Sequence, residues 1–186
     1  MNWRVVHLDD VLPGRWRNGS GETRELACWP DGGDWIWRMS VAEVAHSGPF
    51  SQFEGVQRWF AVLGGAGVRL SVGDDAHELT GSSAPFCFDG GRPVGCELLE
   101  GATQDFNLML RADRAAAQMR RVAGATSFVL AAPRTVAVYA INLGAKVQVE
   151  NDGLLLPAQS LAWRSLPAGA TVQVSAASAL WMEMEV

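Results

Sequence analysis

The sequence predicts an all-β protein, and three observations support this fold class. Short apolar segments recur along the chain, and within them hydrophobic and polar residues alternate as they do in strands with one buried face. Turn sequences rich in Gly, Pro, Asn and Asp separate these segments at short intervals. Such a succession is typical of an all-β sandwich or barrel. Only segment 111–122, rich in alanine and arginine, has the composition of a helix.

The first half begins with an alternating strand at residues 3–8, followed by turns at Asp9-Asp10 and Pro13-Gly14. The loop W-R-N-G-S-G then leads into a strand at 23–29. Its backbone N–H groups suit an anion, but the lysine and helix of a P-loop are missing, so a plain turn is the alternative. Further strands are expected at 58–63, 68–72, 77–79, 85–88, 94–99 and 106–110.

The second half has the same pattern of short strands and turns, with fewer polar side chains. No fixed-period repeat relates the two halves. Strands are expected at 127–130, 135–142, 146–150, 153–156, 160–163, 171–175 and 179–185.

Stretch 35–63 has the most informative alternation. Trp35, Trp37, Met39 and Val41 lie on one side of an extended chain, which is too apolar to face water and is predicted to be buried against a second barrel or a second subunit. The other side carries an arginine and a hydroxyl among small or aliphatic neighbours: Ile36, Arg38, Ser40, Ala42 and Val44.

Arg38 and Arg58 each lie in an apolar strand, which predicts that both line one cavity. A buried guanidinium needs acceptors, because an unpaired buried charge is very costly. Those acceptors are either protein carboxylates or a ligand, and the sequence leaves both alternatives open. The protein candidates are Glu25, Glu43 and Asp105.

Composition excludes several classes of protein. The 186 residues carry a net charge of −5 without a basic cluster, which argues against a nucleic-acid partner. No apolar run has the length of a membrane span, and the first residues lack the apolar segment of a signal peptide. Three cysteines without metal-type spacing, Cys28, Cys87 and Cys96, fit inert reduced thiols in the cytoplasm.

The potentially reactive residues form no recognisable catalytic or metal-binding set. Three scattered histidines cannot supply the ligands of a cupin metal centre, so neither a metal nor another cofactor is expected. No serine has a neighbouring base or a nucleophile-elbow context. Glu25, Glu43 and Asp105 are candidate acid/base groups, but carboxylates are also the usual partners of arginine. No catalytic residue is assigned. An enzymatic activity stays open, but the lack of a catalytic or metal-binding motif argues against it.

Four segments resemble the HutD/Ves family in sequence and in order: W-R-N-G-S-G-E-T-R-E-L-A, W-R-M-S-V-A-E-V, G-P-F-S-Q-F-E-G-V-Q-R and D-F-N-L-M. Together they extend over residues 16–109. The resemblance implies a cytoplasmic bacterial bicupin, made of two cupin-like jelly-roll barrels packed together. The barrels would be residues 1–110, with the motifs, and 111–186, and segment 111–122 would be extended despite its helical composition.

The resemblance also implies a ligand-binding site. Ser20 stands where the family usually has a third glycine, which would stiffen the loop, and Gln57 stands where an acidic residue often precedes Arg58, which removes one charge partner. The positions that match the family's polar residues are Asn18, Thr23, Arg24, Glu25, Arg38, Ser40, Ser51, Arg58, Asp105 and Asn107.

Three functions stay open at this stage. The first is a regulatory protein of histidine utilization that senses a carboxylate such as urocanate or a formylated or formiminated glutamate, because arginines suit carboxylates. The second is a metal-independent cupin enzyme that uses a glutamate as acid/base. The third is a protein-interaction module that uses the tryptophan-rich faces. The expected partner is a small carboxylate, without nucleic acid or membrane, and a homodimer stays open.

Overall fold

The computed structural model describes residues 2–185, and their regular structure is almost entirely β-strand. One short 3-10 turn, Leu8–Asp10, is the single helical element of these residues. None of the described residues belongs to a helix long and apolar enough to cross a membrane. The all-β prediction is therefore confirmed.

Seventeen strands follow one another within the described residues. Those before residue 112 are β1 (Arg4–His7), β2 (Gly14–Arg15), β3 (Gly21–Trp29), β4 (Trp37–Val44), β5 (Gly48–Pro49), β6 (Val56–Gly64), β7 (Val68–Val72), β8 (Asp75–Leu79), β9 (Phe86–Asp89), β10 (Val94–Leu98) and β11 (Thr103–Arg111). The later ones are β12 (Ala116–Val129), β13 (Arg134–Ala140), β14 (Ala145–Val149), β15 (Asp152–Leu156), β16 (Ser160–Leu166) and β17 (Thr171–Glu185).

The chain divides into two compact units. The first unit is Val11–Ala115, and the second unit comprises the chain up to Asp10 together with the chain from Ala116 onwards. Strand β1 belongs to the second unit because it pairs antiparallel with β16, from Arg4 opposite Trp163 to His7 opposite Ser160. The compact units thus group the chain up to Asp10 with its later part and place residues 111–115 in the first unit, whereas the expected barrels were 1–110 and 111–186. Sequence position does not reveal the long-range pairing of β1.

The first unit contains two antiparallel sheets. One has six strands in the order β2-β3-β4-β11-β6-β9, and the other has four in the order β5-β10-β7-β8. Buried side chains from both sheets form a common core, in which Phe60 and Val62 of β6 join Leu70 of β7 and Cys96 of β10. The two sheets therefore pack face to face around an apolar interior.

The second unit is built on one seven-stranded sheet whose longest strand, β17, pairs with β12 along its whole length. On its other side β17 pairs with β14 up to Ala176 and with β13 from Ala179. The sequence predicted two strands here, 171–175 and 179–185, but β17 continues through the point where its partner changes. The rings of Phe128 and Trp181 stack 4.3 Å apart within this unit's core.

Segment 111–122 is not helical. Arg111 ends β11, a turn follows, and from Ala116 the chain runs as β12 with Gln118 opposite Glu183 and Val122 opposite Ala179. The extended conformation implied by the family resemblance is therefore confirmed from residue 116, against the local propensity. Thirteen residue pairs between β12 and β17 outweigh helix propensities that differ by about 0.7 kcal/mol per residue or less.

The apolar side of β4 is buried as the alternation predicts. Trp37, Met39 and Val41 are each at most 2% exposed. Trp35 departs from the pattern, because it precedes the strand and is only partly buried, with the guanidinium carbons of Arg38 and Arg111 5.9 and 5.1 Å from its ring centre. The expectation that this face packs on a second barrel or subunit stays a prediction.

Candidate functional site

A cavity of about 500 Å³ lies within the first unit. Strands β3, β4, β6 and β11 supply polar side chains to it, and the β2–β3 turn and the segment after β5 supply aromatic ones. No aspartate or glutamate is among the residues that line it: Arg15, Trp16, Arg17, Asn18, Thr23, Arg38, Ser40, Ala42, Val44, Pro49, Phe50, Ser51, Phe53, Arg58, Phe60, Asn107 and Met109.

Strand register explains why residues far apart in sequence meet on this cavity wall. Met109 of β11 lies directly opposite Arg38 of β4 on one side and Arg58 of β6 on the other. The two arginines therefore stand in one row, two strand spacings apart, which is about 10 Å between their backbones. The next row on the same face consists of Ser40, Asn107 and Phe60.

Arg58 is a buried cation, and its partners among the described residues are all neutral. Its side-chain Nη2 donates to Asn107 Oδ1 at 2.8 Å, and Nη1 donates to the Ser51 carbonyl at 3.4 Å. The guanidinium carbon lies 5.1–5.8 Å from the ring centres of three phenylalanines, and Nε has no hydrogen-bond partner among residues 2–185. No carboxylate of the described residues lies within 4.0 Å of Arg58, although the residue is 6% exposed.

The charge of Arg58 is disfavoured by its surroundings. Burial, followed by the nearby positive charge of Arg38, lowers the pKa of the Arg58 guanidinium from 12.5 to about 10. The side chain nevertheless stays protonated at neutral pH. The cavity thus holds two mutually repelling cations, an arrangement that an anion between them would stabilise.

Arg38 has one carboxylate beside it. Its Nε lies 3.4 Å from Glu25 Oε2, but the geometry is not that of a hydrogen bond, and Nε has no hydrogen-bond partner among the described residues. We therefore treat the contact as electrostatic. The Cys28 thiol lies next to the same carboxylate, and burial together with the charge of Glu25 raises the pKa of Cys28.

The row after that of Asn107 on the same face consists of Ala42 of β4, Asp105 of β11 and Val62 of β6. Asp105 is fully buried, its Oδ2 accepts a hydrogen bond from the Thr103 hydroxyl at 2.9 Å, and its Oδ1 has no partner in the described part of the chain. Burial raises the pKa of this carboxyl from 3.8 to about 7. The carboxyl of Asp105 is therefore much more readily protonated than a free aspartate, and among the described residues it forms no ion pair with either arginine.

The structure brings together most of the residues expected at the site and separates three of them. Asn18, Thr23, Arg38, Ser40, Ser51, Arg58 and Asn107 all line the cavity. Glu25 lies beside Arg38 but does not line the cavity. Asp105 is fully buried and does not line the cavity either. Arg24 is on the opposite face of β3, because it alternates with Thr23, and it contacts Glu43 at 3.0 Å and Glu22 at 3.4 Å.

Glu43 is likewise on the face of the sheet opposite the cavity. The sequence had offered it as a partner for Arg38 or Arg58 and as an acid/base group. It is exposed and paired with Arg24. The alternation of β4 places it with Met39 and Val41, whereas Arg38 and Ser40 point to the other side. The expected pairing of Glu43 with Arg38 or Arg58 is therefore wrong, and Glu43 is not among the residues that line the cavity.

The turn after Trp16 is ordered by its own side chains. Asn18 Oδ1 accepts hydrogen bonds from the backbone N–H of Ser20 at 3.1 Å and from its hydroxyl at 2.7 Å, while Gly19 between them has φ 71°. Trp16 Nε1 donates to the Thr23 hydroxyl at 2.8 Å across the hairpin. The serine that replaces a glycine in N-G-S-G thus ties down the Asn18 side chain, as its stiffening role predicts.

Sequence reasoning missed much of the cavity's apolar and cationic lining. Phe50 and Phe53 approach the Arg58 guanidinium from a segment without regular structure, and their place in G-P-F-S-Q-F gives no periodic signal. Arg15 and Arg17 flank Trp16, within or beside a segment already singled out for its asparagine and glycines. The two arginines that flank Trp16 were the sequence signal that could have indicated a cationic cavity lining.

The residues described, 2–185, contain no group of three or more His, Cys, Asp and Glu side chains arranged to hold a metal ion. The thiols are not activated either. Burial raises the pKa of Cys87 to about 11 and that of Cys96 to about 12. The chemistry offered by the cavity is that of neutral hydrogen-bonding groups and guanidinium ions.

Comparison with known proteins identifies the family. The HutD family model matches residues 9–182. Protein Ves of Cronobacter sakazakii is 40% identical over 150 residues, 80% of each chain. The crystal structure of PA5104 of Pseudomonas aeruginosa PAO1, a conserved protein of unknown function, is 31% identical and superposes with a TM-score of 0.88 over the whole of both chains.

Two further solved structures are informative. HutD from Pseudomonas fluorescens SBW25, solved in a formate condition, is 30% identical with a TM-score of 0.85 over 98% of each chain. A cupin 2 conserved barrel domain protein from Leptotrichia buccalis is 8% identical with a TM-score of 0.57, covering 98% of this chain and 96% of that one, which shows a cupin-like fold alone. The chain belongs to the HutD family.

Proposed function

We propose that this HutD-family protein binds a small organic carboxylate in the cavity of its first unit. The observation that carries the proposal is the buried Arg58 guanidinium, whose partners in the described part of the chain are all neutral and which stands in one row with Arg38. A buried cation without an anionic partner is costly, and a bound carboxylate would supply that partner.

The surroundings of the two arginines suit a ligand of modest size. A volume of about 500 Å³ is within the usual range for small-molecule pockets. The hydroxyls of Thr23 and Ser40 and the Asn107 amide lie among aromatic rings. This lining is complementary to a ligand with a short or planar apolar part and one or two polar groups. The absence of acidic residues from the lining favours anionic over cationic ligands.

We further propose a regulatory role in histidine utilization, with urocanate or a formylated or formiminated glutamate as the sensed carboxylate. Membership of the HutD family supports the pathway, and the paired arginines support the carboxylate. Within this proposal the two units correspond to the two cupin barrels of a bicupin, and the protein acts in the cytoplasm, where its three cysteines stay reduced.

The enzyme alternative receives less support from the geometry. It required a glutamate poised as acid/base, but Glu43 lies on the outer face of the sheet and Glu25 lies against a guanidinium. Asp105 is fully buried and is not among the residues that line the cavity. Incubation with each candidate carboxylate, followed by analysis for product, keeps this alternative testable.

A thermal-shift titration with urocanate, N-formylglutamate and N-formiminoglutamate tests the proposal. A carboxylate at about a hundred times its Kd stabilises the folded chain by about 2.7 kcal/mol. For a chain of this size we expect an increase in Tm of roughly 5–10 °C. The increase should fall sharply in Arg38→Met and Arg58→Met but persist in the control Arg92→Met, an exposed arginine outside the cavity.

Circular dichroism must first show that each variant is folded. If none of the three compounds changes the Tm of the wild type, while both cavity variants are strongly destabilised without ligand, the arginines are structural and the proposal is wrong.

A further inference from the structure

Glu25 is the carboxylate that the chain itself places against the cationic row of the cavity. Its Oε2 lies 3.4 Å from Arg38 Nε, and the two side chains are 48% and 23% exposed. Arg38 Nε makes no hydrogen bond with any described residue, so the pair is held by charge without the directional bond of a tight ion pair. Such a contact is easily exchanged for a better one.

Glu25 faces the cavity side of β3 because it lies two residues after Thr23, and an irregularity after it brings the Cys28 thiol to the same side. Glu25 lies opposite Ser40, whereas Ala27 already lies opposite Met39, so Leu26 is an extra residue that forms a bulge. As a result Glu25 and Cys28, three residues apart, both project toward the side of the sheet that carries Arg38 and Ser40. In an unbroken strand, residues three apart would face opposite sides.

The surroundings of Glu25 allow it to leave Arg38. Its side chain is about half exposed, so water can take over its solvation. The Cys28 thiol, which lies against the same carboxylate, is a neutral neighbour and does not replace the guanidinium. Arg58, by contrast, has no carboxylate partner to lose among the described residues.

We propose that Glu25 is an internal counter-ion that competes with the bound carboxylate for Arg38 and thereby sets the affinity of the cavity. The inference rests on the carboxylate binding proposed above. Two carboxylates cannot both approach one guanidinium edge closely without repulsion, so the incoming anion displaces Glu25 toward solvent. Glu25 thus weakens binding, in contrast to a residue that contacts the ligand directly.

The test compares Glu25→Gln with Glu43→Gln, which removes the same charge from the outer face of the neighbouring strand. The probes are benzoate and its neutral analogue benzamide, whose affinities are measured by calorimetry. We expect Glu25→Gln to bind benzoate about two- to fivefold more tightly than the wild type does, in line with a partly exposed ion pair. Benzamide binding should stay unchanged, and Glu43→Gln should bind both probes as the wild type does.

A second comparison isolates the role of Arg38. In an Arg38→Gln background the counter-ion has no partner to compete for, so adding Glu25→Gln should leave benzoate affinity unchanged. Persistence of the full effect in that background would overturn the inference, because it would show a general charge effect.

The remaining outcomes separate this inference from the proposed function. If benzoate binds the wild type and Glu25→Gln binds it equally or less tightly, the competition is wrong and carboxylate binding stands. If neither benzoate nor the carboxylates of the thermal-shift titration bind wild type or Glu25→Gln, carboxylate binding fails and the competition fails with it.

Discussion

Replacing Arg58 and Asn107 together by apolar residues of similar size should stabilise the unliganded protein and abolish carboxylate binding. The perturbation is the double variant Arg58→Met/Asn107→Leu. Arg58 is 6% exposed, donates one hydrogen bond to Asn107 and has no carboxylate partner in the described chain. The wild type therefore keeps a buried charge for which the fold itself supplies no counter-ion.

The magnitude follows from the burial of this charge. The pKa of Arg58 is lowered from 12.5 to about 10. Since a tenfold change in an ionisation constant is about 1.4 kcal/mol, the buried charge costs about 3 kcal/mol. Its hydrogen bond to Asn107 offsets about 2 kcal/mol. Methionine keeps favourable contacts with the three phenylalanine rings, so we expect the double variant to gain about 1–3 kcal/mol.

The single variant Arg58→Met should be close to neutral in stability. It removes the buried charge but leaves Asn107 Oδ1 without its donor, which costs about 1–3 kcal/mol. Comparing it with the double variant therefore separates the cost of the charge from the cost of the unpaired amide.

Urea unfolding followed by tryptophan fluorescence measures these free energies, and a thermal scan with urocanate measures binding. Arg92→Met serves as the control for an exposed arginine and should change stability by less than about 0.5 kcal/mol. If the double variant loses more than about 2 kcal/mol, Arg58 stabilises the fold, and the argument from its uncompensated charge is refuted.

Three further predictions concern other parts of the first unit. Because burial raises the pKa of Asp105 from 3.8 to about 7, its contribution to stability is complete below the unfolded pKa and is lost as the pH rises through 7. Asp105→Asn should therefore leave stability near pH 4 unchanged and raise it by up to about 4 kcal/mol near pH 8 in urea unfolding. The raised pKa values of Cys87 and Cys96 predict that a disulfide reagent near pH 8 labels the folded protein at least about tenfold more slowly than the unfolded one. Met39→Ala should cost about 2–5 kcal/mol, whereas Glu43→Ala, on the same face but exposed, should cost less than about 1 kcal/mol.

Each of these predictions has a clear contrary result. An Asp105→Asn variant that is less stable at both pH values would show that the carboxylate is a required hydrogen-bonding group. Rapid labelling of the folded protein would show that the thiols are accessible or activated. Equal losses for Met39→Ala and Glu43→Ala would mean that alternation along β4 does not decide burial.

The sequence by itself determined the fold class, most strands and the two faces of β4. Alternation is a local property, so it assigns Trp37 and Met39 to a buried face and Arg38 and Ser40 to a polar one whichever strands lie alongside. The same logic identified Arg58 as a cavity residue. Arg38, Ser40 and Arg58 line the cavity for this reason, whereas the full set of ten polar positions, seven of which line the cavity, came from the family resemblance.

Only the tertiary structure decided which strands lie side by side and what each arginine contacts. The row Arg38–Met109–Arg58 depends on β11 lying between β4 and β6, although Met109 is 71 residues from Arg38 and 51 from Arg58 in sequence. The bulge at Leu26, which places Cys28 on the same face as Glu25, and the pairing of β1 with β16 also depend on partner strands. Segment 111–122 shows the physical reason: local preferences amount to tenths of a kcal/mol per residue, and a long ladder with β17 outweighs them.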